Sequence, residues 1–367
     1  MATEGAGPQR VAVSVLVAIR DEERHIEAAL AGMRTQDFDG TVEFLLLDGG
    51  SVDATLTTLS HLTEGDPRFR VLVRPGWSIP RRLNLGLTSA RGDVIARMDA
   101  HSVFPANYLS DGVQRLAAGG VASVSGPQIA TGEGFWSRRI ALALRSPLGR
   151  GGARFRRLHA AEIEVDSGFC GLWLRPLLLT HHGWDERAVK GEDMELAFRI
   201  RRAGGRIVCV PSMAARYSPR DTLGGLAVQY WRYAERRAWA ASLHPRILRR
   251  SHLFPPALVL TALAAALAPP RIGRRARRGV GLYGAVVAFE SLRLGRGHSL
   301  STPAALPAIF VTMHVAWGCG FITGCVTHNR PRGQAGSAQG YAPRPASTVF
   351  SVSQMIKASR RRVRRLT

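Results

Sequence analysis

Cysteine is scarce in this chain, and acid is scarcer than base. The four cysteines, Cys170, Cys209, Cys319 and Cys325, form no Cys-x-x-Cys pair and no Cys/His ligand spacing. That argues against a zinc module or a disulfide framework and points to a reducing compartment. The N-terminus lacks the basic-then-apolar pattern of a secretory signal, so residues 1–240 are expected to stay in the cytoplasm. The first strand-like run is not followed by Gly-x-Gly-x-x-Gly, which disfavours a dinucleotide oxidoreductase. Only 27 Asp and Glu stand against 50 Lys and Arg, nearly all of them Arg, for a formal net charge of +23. Such an excess attracts polyanions: nucleic acid, anionic lipid headgroups or phosphorylated substrates. The arginine clusters flank apolar runs and form no basic–aromatic stripe, so no nucleic-acid partner is expected.

The apolar share, 46% of 367 residues, is ordinary for a folded protein. That length accommodates a catalytic domain of roughly 230–250 residues and something more. Val11–Val17 is a β-branched run too short for a helix, followed by a helix expected from Arg20 to about Met33. Val42–Asp48 reads as a second strand, with Gly49-Gly50 as its turn and a Ser or Asp cap opening a second helix. Phe69–Val73 is a third strand and Gly92–Ala96 a fourth. Strands alternating with helices imply a mostly parallel sheet that binds ligands at its C-terminal edge. Asp21, Asp48 and Asp99 all fall at that edge. Asp99 and His101, two apart, share one face of extended chain and suit a divalent cation gripping phosphates, or else a plain turn. Arg81 or Arg82, near the start of a further helix, suits a diphosphate or a solvated basic turn.

Five segments in order then carry a resemblance: Val17-Ala-Ile-Arg-Asp-Glu-Glu23, Leu47-Asp-Gly-Gly-Ser-Val-Asp53, Asn84-Leu-Gly86 with Ala90-Arg-Gly-Asp93, and Arg97-Met-Asp-Ala-His101. Over roughly residues 11–240 the chain resembles the family 2 glycosyltransferases, inverting enzymes of the GT-A type that use nucleotide-diphospho-sugars. The Asp-Ala-His form resembles the branch of succinoglycan-type exopolysaccharide transferases. The resemblance implies an α/β fold class, a GT-A nucleotide-sugar-binding fold with a mostly parallel mixed sheet and flanking helices. Carried over by position, Asp48 would read the base, with uracil expected, and Ala18 and Asp21 would line the nucleoside pocket. Arg81 and Asn84 would complete the donor side, Asp99 would meet ribose and metal, and His101 would complete the site of a divalent cation, Mn or Mg. Ile19 stands where many members carry a stacking aromatic, and Gly49 where many carry a second Asp.

The acceptor half follows. Val165–Arg175 resembles the family's acceptor-side strand, where small residues such as Gly171 would let backbone approach a sugar. Trp184 offers either a flat face for a sugar ring or a core aromatic. Lys190-Gly-Glu-Asp-Met-Glu-Leu196 opens a helix expected over Met194–Ala203 and stopped by Gly204-Gly205. In the family the Asp of this Glu-Asp pair is the catalytic base, which implies Asp193 as base and Glu192 as its orienting neighbour. Gln229 and Arg232 resemble a Gln-x-x-Arg element at the active-site edge. Tyr233, where polymerising synthases carry Trp, favours transfer of one sugar over processive synthesis. Intact Asp48, Asp99 and Asp193 argue against a silent scaffold.

Beyond Arg246–Arg250 the composition turns apolar in three runs: Leu253–Ala268, Gly279–Leu292 and Thr302–Thr327. A span needs about 20 apolar residues. Five arginines between Arg271 and Arg278, and a basic tail, stay on one side if the first run is interfacial and the other two span. The expected organisation is 1–10 disordered, 11–245 a GT-A domain, 246–328 membrane-associated helices and 329–367 a flexible basic tail. The partners implied are a nucleotide-diphospho-sugar donor, a glycan or lipid-linked acceptor and membrane lipid, with the catalytic domain on the cytoplasmic face of the cell membrane.

Overall fold

A computed structural model describes residues 12–188 and 191–328 of the chain. The N-terminus expected to be disordered, Lys190 and the basic tail from 329 lie outside these residues. The first part alternates regularly: β1 (Val13–Ile19), α1 (Ile26–Arg34), β2 (Val42–Asp48), α2 (Thr55–Thr63), β3 (Phe69–Val73), α3 (Ile79–Ser89) and β4 (Val94–Asp99). Next come β5 (Ser102–Val103), α4 (Tyr108–Ala118), β6 (Ser123–Gly126), β7 (Gln128–Ala130), α5 (Phe135–Arg145) and α6 (Pro147–Arg150). The chain continues through β8 (Ile163–Glu164), β9 (Phe169–Leu174), α7 (Arg175–Thr180), α8 (Glu192–Arg202), β10 (Ile207–Cys209) and β11 (Ala215–Tyr217). Four long helices close it: α9 (Leu223–Leu243), α10 (Arg250–Leu267), α11 (Pro270–Gly295) and α12 (Ser301–His328).

Eight strands form one sheet in the order β3-β2-β1-β4-β9-β6-β10-β8, and β5, β11 and β7 form a small second one. The β3-β2-β1-β4 half is parallel throughout. Its strands are near-continuous apolar runs because helices cover both faces, and Val15, Leu46 and Met98 are fully buried. Burying one such side chain stabilises by about 1.5–3 kcal/mol. Strand β9 runs antiparallel to both β4 and β6, which places Gly171 directly opposite Arg97.

Helix α1 starts at Ile26, later than the expected Arg20. The backbone N–H groups of Asp21, Glu22 and Glu23 donate to Ser51 Oγ, Thr55 Oγ1 and Asp53 Oδ2 at 2.9, 2.8 and 3.2 Å. In return Val52 N–H donates to Asp21 Oδ1 at 2.9 Å and Ala54 N–H to Glu23 Oε2 at 3.2 Å. These long-range partners hold 20–25 as a rim loop, with Asp21 at φ +53.

The chain forms two compact units. Among the described residues, the first holds 12–129 with Arg157–Tyr217, and the second holds Ala130–Arg156 with 218–328. The second unit thus draws in α5, α6 and α9, which the sequence reading grouped with residues 11–245. Its own core explains this: Ile140, Leu144, Leu226 and Tyr230 close on Leu306, Phe310 and Met313 of α12. The five arginines between Arg271 and Arg278 lie within the first turns of α11, so the second apolar run is only the remainder of that helix. Among the described residues two helices are long and apolar enough to cross a membrane by length and composition alone, α10 and α12. Neither is α11, which was expected to span; α10, expected to be interfacial, is largely exposed.

Candidate active site

The C-terminal edge of the parallel half collects most of the expected donor residues. Ala18 lies in register with Asp99 at the ends of β1 and β4, and Ile19 with Asp48. Asp48 is fully buried. Its Oδ1 accepts from Gly50 and Ser51 N–H at 2.7 and 3.0 Å, and its Oδ2 from the Ser51 hydroxyl. Its carboxylate therefore builds the turn after β2. Asp21 is exposed, with one oxygen tied to Val52.

Of the two arginines, Arg81 is exposed and lies over the Trp77 ring, 3.8 Å from its centre. Arg82 is buried and donates from one nitrogen to the carbonyls of Ile19 and Leu47, both at 2.6 Å. A Cβ on Gly49 would meet the Arg82 guanidinium at 2.8 Å, so a side chain at position 49 requires that guanidinium to shift. Burial pulls the Arg82 pKa down, and the charge of Asp48 opposes that shift.

Asp99 and His101 come together at the end of β4. His101 Nε2 is 3.9 Å from Asp99 Oδ2 and its Nδ1 is 3.4 Å from Glu22 Oε1, and both side chains keep solvent access. Among the described residues no group of three or more His, Cys, Asp and Glu is arranged to hold a metal. A carboxylate and an imidazole nonetheless fit a cation that takes its other ligands from phosphate and water. The nitrogen ligand suits Mn²⁺ better than Mg²⁺. Glu22 was not among the expected site residues; its place in an acidic Arg-Asp-Glu-Glu run was the signal.

The Glu192–Asp193 pair is organised around Arg97, which sequence reasoning left unassigned. Its guanidinium, buried in β4, donates to Glu192 Oε1 at 2.9 Å and to Asp193 Oδ1, and lies 3.7 Å from Asp99 Oδ1. Burial would depress its pKa, but Asp193, Glu192 and Asp99 more than offset that and hold it firmly protonated. Glu192 turns its second oxygen to the Gly191 N–H at 2.8 Å. Burial, with Glu192 and Asp99 nearby, outweighs Arg97 at Asp193 and raises its carboxyl to about 6. That value suits a general base near neutral pH. The signal for Arg97 was a charged residue inside the apolar run Val94-Ile-Ala-Arg-Met, which requires a buried partner.

Three expectations for the acceptor and donor sides need correction. Trp184 is buried, edge-on to Trp173, and its indole N–H donates to Asp193 Oδ1 at 3.1 Å. It offers no open face to a sugar. Asn84 does not face a donor: its Oδ1 accepts from Trp184 N–H at 2.9 Å, and its Nδ2 donates to Trp184 C=O at 2.8 Å and Glu186 Oε1 at 3.3 Å. Gly171, at φ +130, is buried inside the sheet, where a Cβ would lie 3.0 Å from the Val124 carbonyl. The close approach it permits is strand to strand. Gln229 and Arg232 lie on α9 in the second unit, where Gln229 donates to the Tyr233 hydroxyl at 3.1 Å and Arg232 is exposed.

The parallel half-sheet, its antiparallel partner strand and the flanking helices together make a GT-A fold. Residues 14–178 match the model of the family described as glycosyl transferase family 2. It is similar to the succinoglycan biosynthesis protein ExoA of Rhizobium meliloti, 28% identical over 317 residues, or 84% of this chain and 93% of that protein. It is also similar to the putative glycosyltransferase EpsH of Bacillus subtilis, 31% identical over 97 residues, 26% of this chain and 28% of that one. Among solved structures, mannosyltransferase PcManGT from Pyrobaculum calidifontis, in complex with GDP-Man and Mn²⁺, superimposes with a TM-score of 0.59 at 19% identity. The match covers 88% of this chain and 90% of that one.

Proposed function

We propose that this chain moves one sugar, with inversion, from a nucleotide-diphospho-sugar to a hydroxyl of a lipid-linked glycan at the cytoplasmic face of the membrane. The observation that carries the reading is Asp193: a carboxyl raised to about 6, held by one oxygen and linked to Asp99 through the single guanidinium of Arg97. The acceptor oxygen attacks the anomeric carbon as its proton passes to Asp193. The bond from that carbon to the diphosphate oxygen breaks, and the nucleoside diphosphate leaves with the electron pair. No covalent intermediate is needed, so one displacement inverts the centre. Glu192 and Arg97 keep Asp193 in place.

Ala18, Asp21 and the Asp48 turn border the nucleoside, with uridine the expected base. Asp99 and His101 would hold a divalent cation, which supplies positive charge to the departing diphosphate. The neighbour solved with GDP-Man and Mn²⁺ supports a nucleotide-sugar donor and a cation of this kind. The similarity to a succinoglycan biosynthesis protein supports a glycan acceptor. The apolar α10 and α12, with arginines beside them, support attachment to anionic membrane, where a lipid-linked acceptor is met in two dimensions.

A thermal-shift screen of UDP- and GDP-sugars with Mn²⁺ or Mg²⁺ tests donor binding, since a ligand at 100 times its Kd stabilises by about 2.7 kcal/mol. Asp193→Asn should abolish transfer while the donor still raises the melting temperature. Retained turnover removes Asp193 as base.

A further inference from the structure

Asp193 is reached by a chain of contacts that begins 109 positions earlier in the sequence, at Asn84. We propose that Asn84 and Trp184 are a positioning pair whose task is to choose which oxygen of Asp193 faces the acceptor. This rests on the reading of Asp193 as the base.

A carboxylate in the first turn of a helix has two equivalent oxygens and turns easily about its last torsion. Arg97 alone does not decide between them. Its guanidinium is shared among Asp193, Glu192 at 2.9 Å and Asp99 at 3.7 Å, and it would follow either oxygen of Asp193. The indole N–H of Trp184 is a single, directed donor, and it meets Oδ1 at 3.1 Å. Its ring has no room to move. It is 1% exposed and packs edge-on against Trp173, the centroids 6.0 Å apart. The backbone that carries the ring is fixed as well. Asn84 accepts from Trp184 N–H at 2.9 Å and donates to Trp184 C=O at 2.8 Å, a two-bond clamp from α3 to the segment ahead of α8.

Both donors to Asp193 therefore converge on Oδ1, and Oδ2 is the oxygen presented for the acceptor proton. A clamp of this kind acts on the rate of the chemical step and leaves donor affinity alone. Small misplacements of a catalytic group cost up to about 100-fold in rate.

The test is Trp184→Phe in the full-length enzyme, which keeps an aromatic ring in the core and removes the pyrrole part of the indole with its N–H. Nucleoside diphosphate release is followed from whichever of the UDP- or GDP-sugars stabilises the parent, with a cell lipid extract as acceptor. The expected result is a 10- to 100-fold lower kcat with donor KM within about twofold of the parent. In an Asp193→Asn background the same change should lower residual turnover no further. A folded Trp184→Phe enzyme with the parent kcat overturns the proposal, as does a loss shared equally by kcat and donor affinity, which marks a merely structural residue. Should Trp184→Phe not fold, Asn84→Ala, which leaves the indole in place, is judged by the same split. If Asp193→Asn itself turns over normally, the base assignment fails and not the clamp geometry.

Discussion

Replacing Arg97 with Met is the most informative single change in this molecule. The substitution keeps apolar volume in β4 but removes the cation shared by Glu192, Asp193 and Asp99. Glu192 is as buried as Arg97 itself, so it is left without its main counter-charge. Breaking a buried ion pair from one side costs about 3–5 kcal/mol. In a unit of this size that lowers Tm on the order of 10 °C. The chemistry should move too. Asp193 titrates at about 6 because burial raises it while Arg97 pulls the other way. In the parent, kcat/KM should fall about tenfold per pH unit below 6, where the carboxyl is protonated. Without Arg97 only the Trp184 hydrogen bond still opposes burial, Glu192 and Asp99, so this acid limb shifts to higher pH. The sign for stability follows from the same shift. A carboxyl whose folded pKa lies above its ordinary 3.8 stabilises the fold when protonated and loses that contribution as pH rises through about 6. The Arg97→Met enzyme should therefore lose more stability at pH 8 than at pH 5. Differential scanning calorimetry at both values and a pH–rate profile check this. Equal melting losses at the two pH values, together with an unmoved acid limb, refute the account of Arg97 as the counter-charge of the site.

Two further outcomes are expected. His101→Ala should weaken Mn²⁺-dependent donor binding by about tenfold or more, read by metal titration of the donor-induced thermal shift, and an unchanged titration would leave His101 as a turn residue. Gly171→Ala, forced to adopt φ +130 with its Cβ 3.0 Å from the Val124 carbonyl, should destabilise by about 1–3 kcal/mol in urea unfolding, and a neutral result would mean β9 shifts freely.

Where a residue's neighbours lie within a few positions, the sequence is legible. Strands β2 and β3 match their expected bounds because an apolar run between turn residues carries its own evidence. Helix α8 differs by one or two residues at each end. Asp99 and His101 are near each other as expected, but His101 reaches that place from the turn after β4 and not from extended chain. What was hidden depends on partners far along the chain. Helix α1 begins late because its first N–H groups are taken by residues 30 or more positions away. Asn84 and Trp184 were assigned to donor and acceptor by analogy, yet they satisfy each other across 100 residues. No periodicity encodes that pairing. The second unit was read differently for another reason: the positive-inside argument counted the second apolar run as a span, whereas α11 carries five arginines in its first turns.

The reciprocal bonds between residues 21–23 and 51–55 bear on how donor preference can be changed by protein engineering. Each loop supplies both donors and acceptors to the other. Neither can be exchanged singly without orphaning the amides of its counterpart. A loop graft from another transferase should fail when only one is replaced and succeed when both travel as one cassette. On this rim, the unit of recombination is a pair of loops.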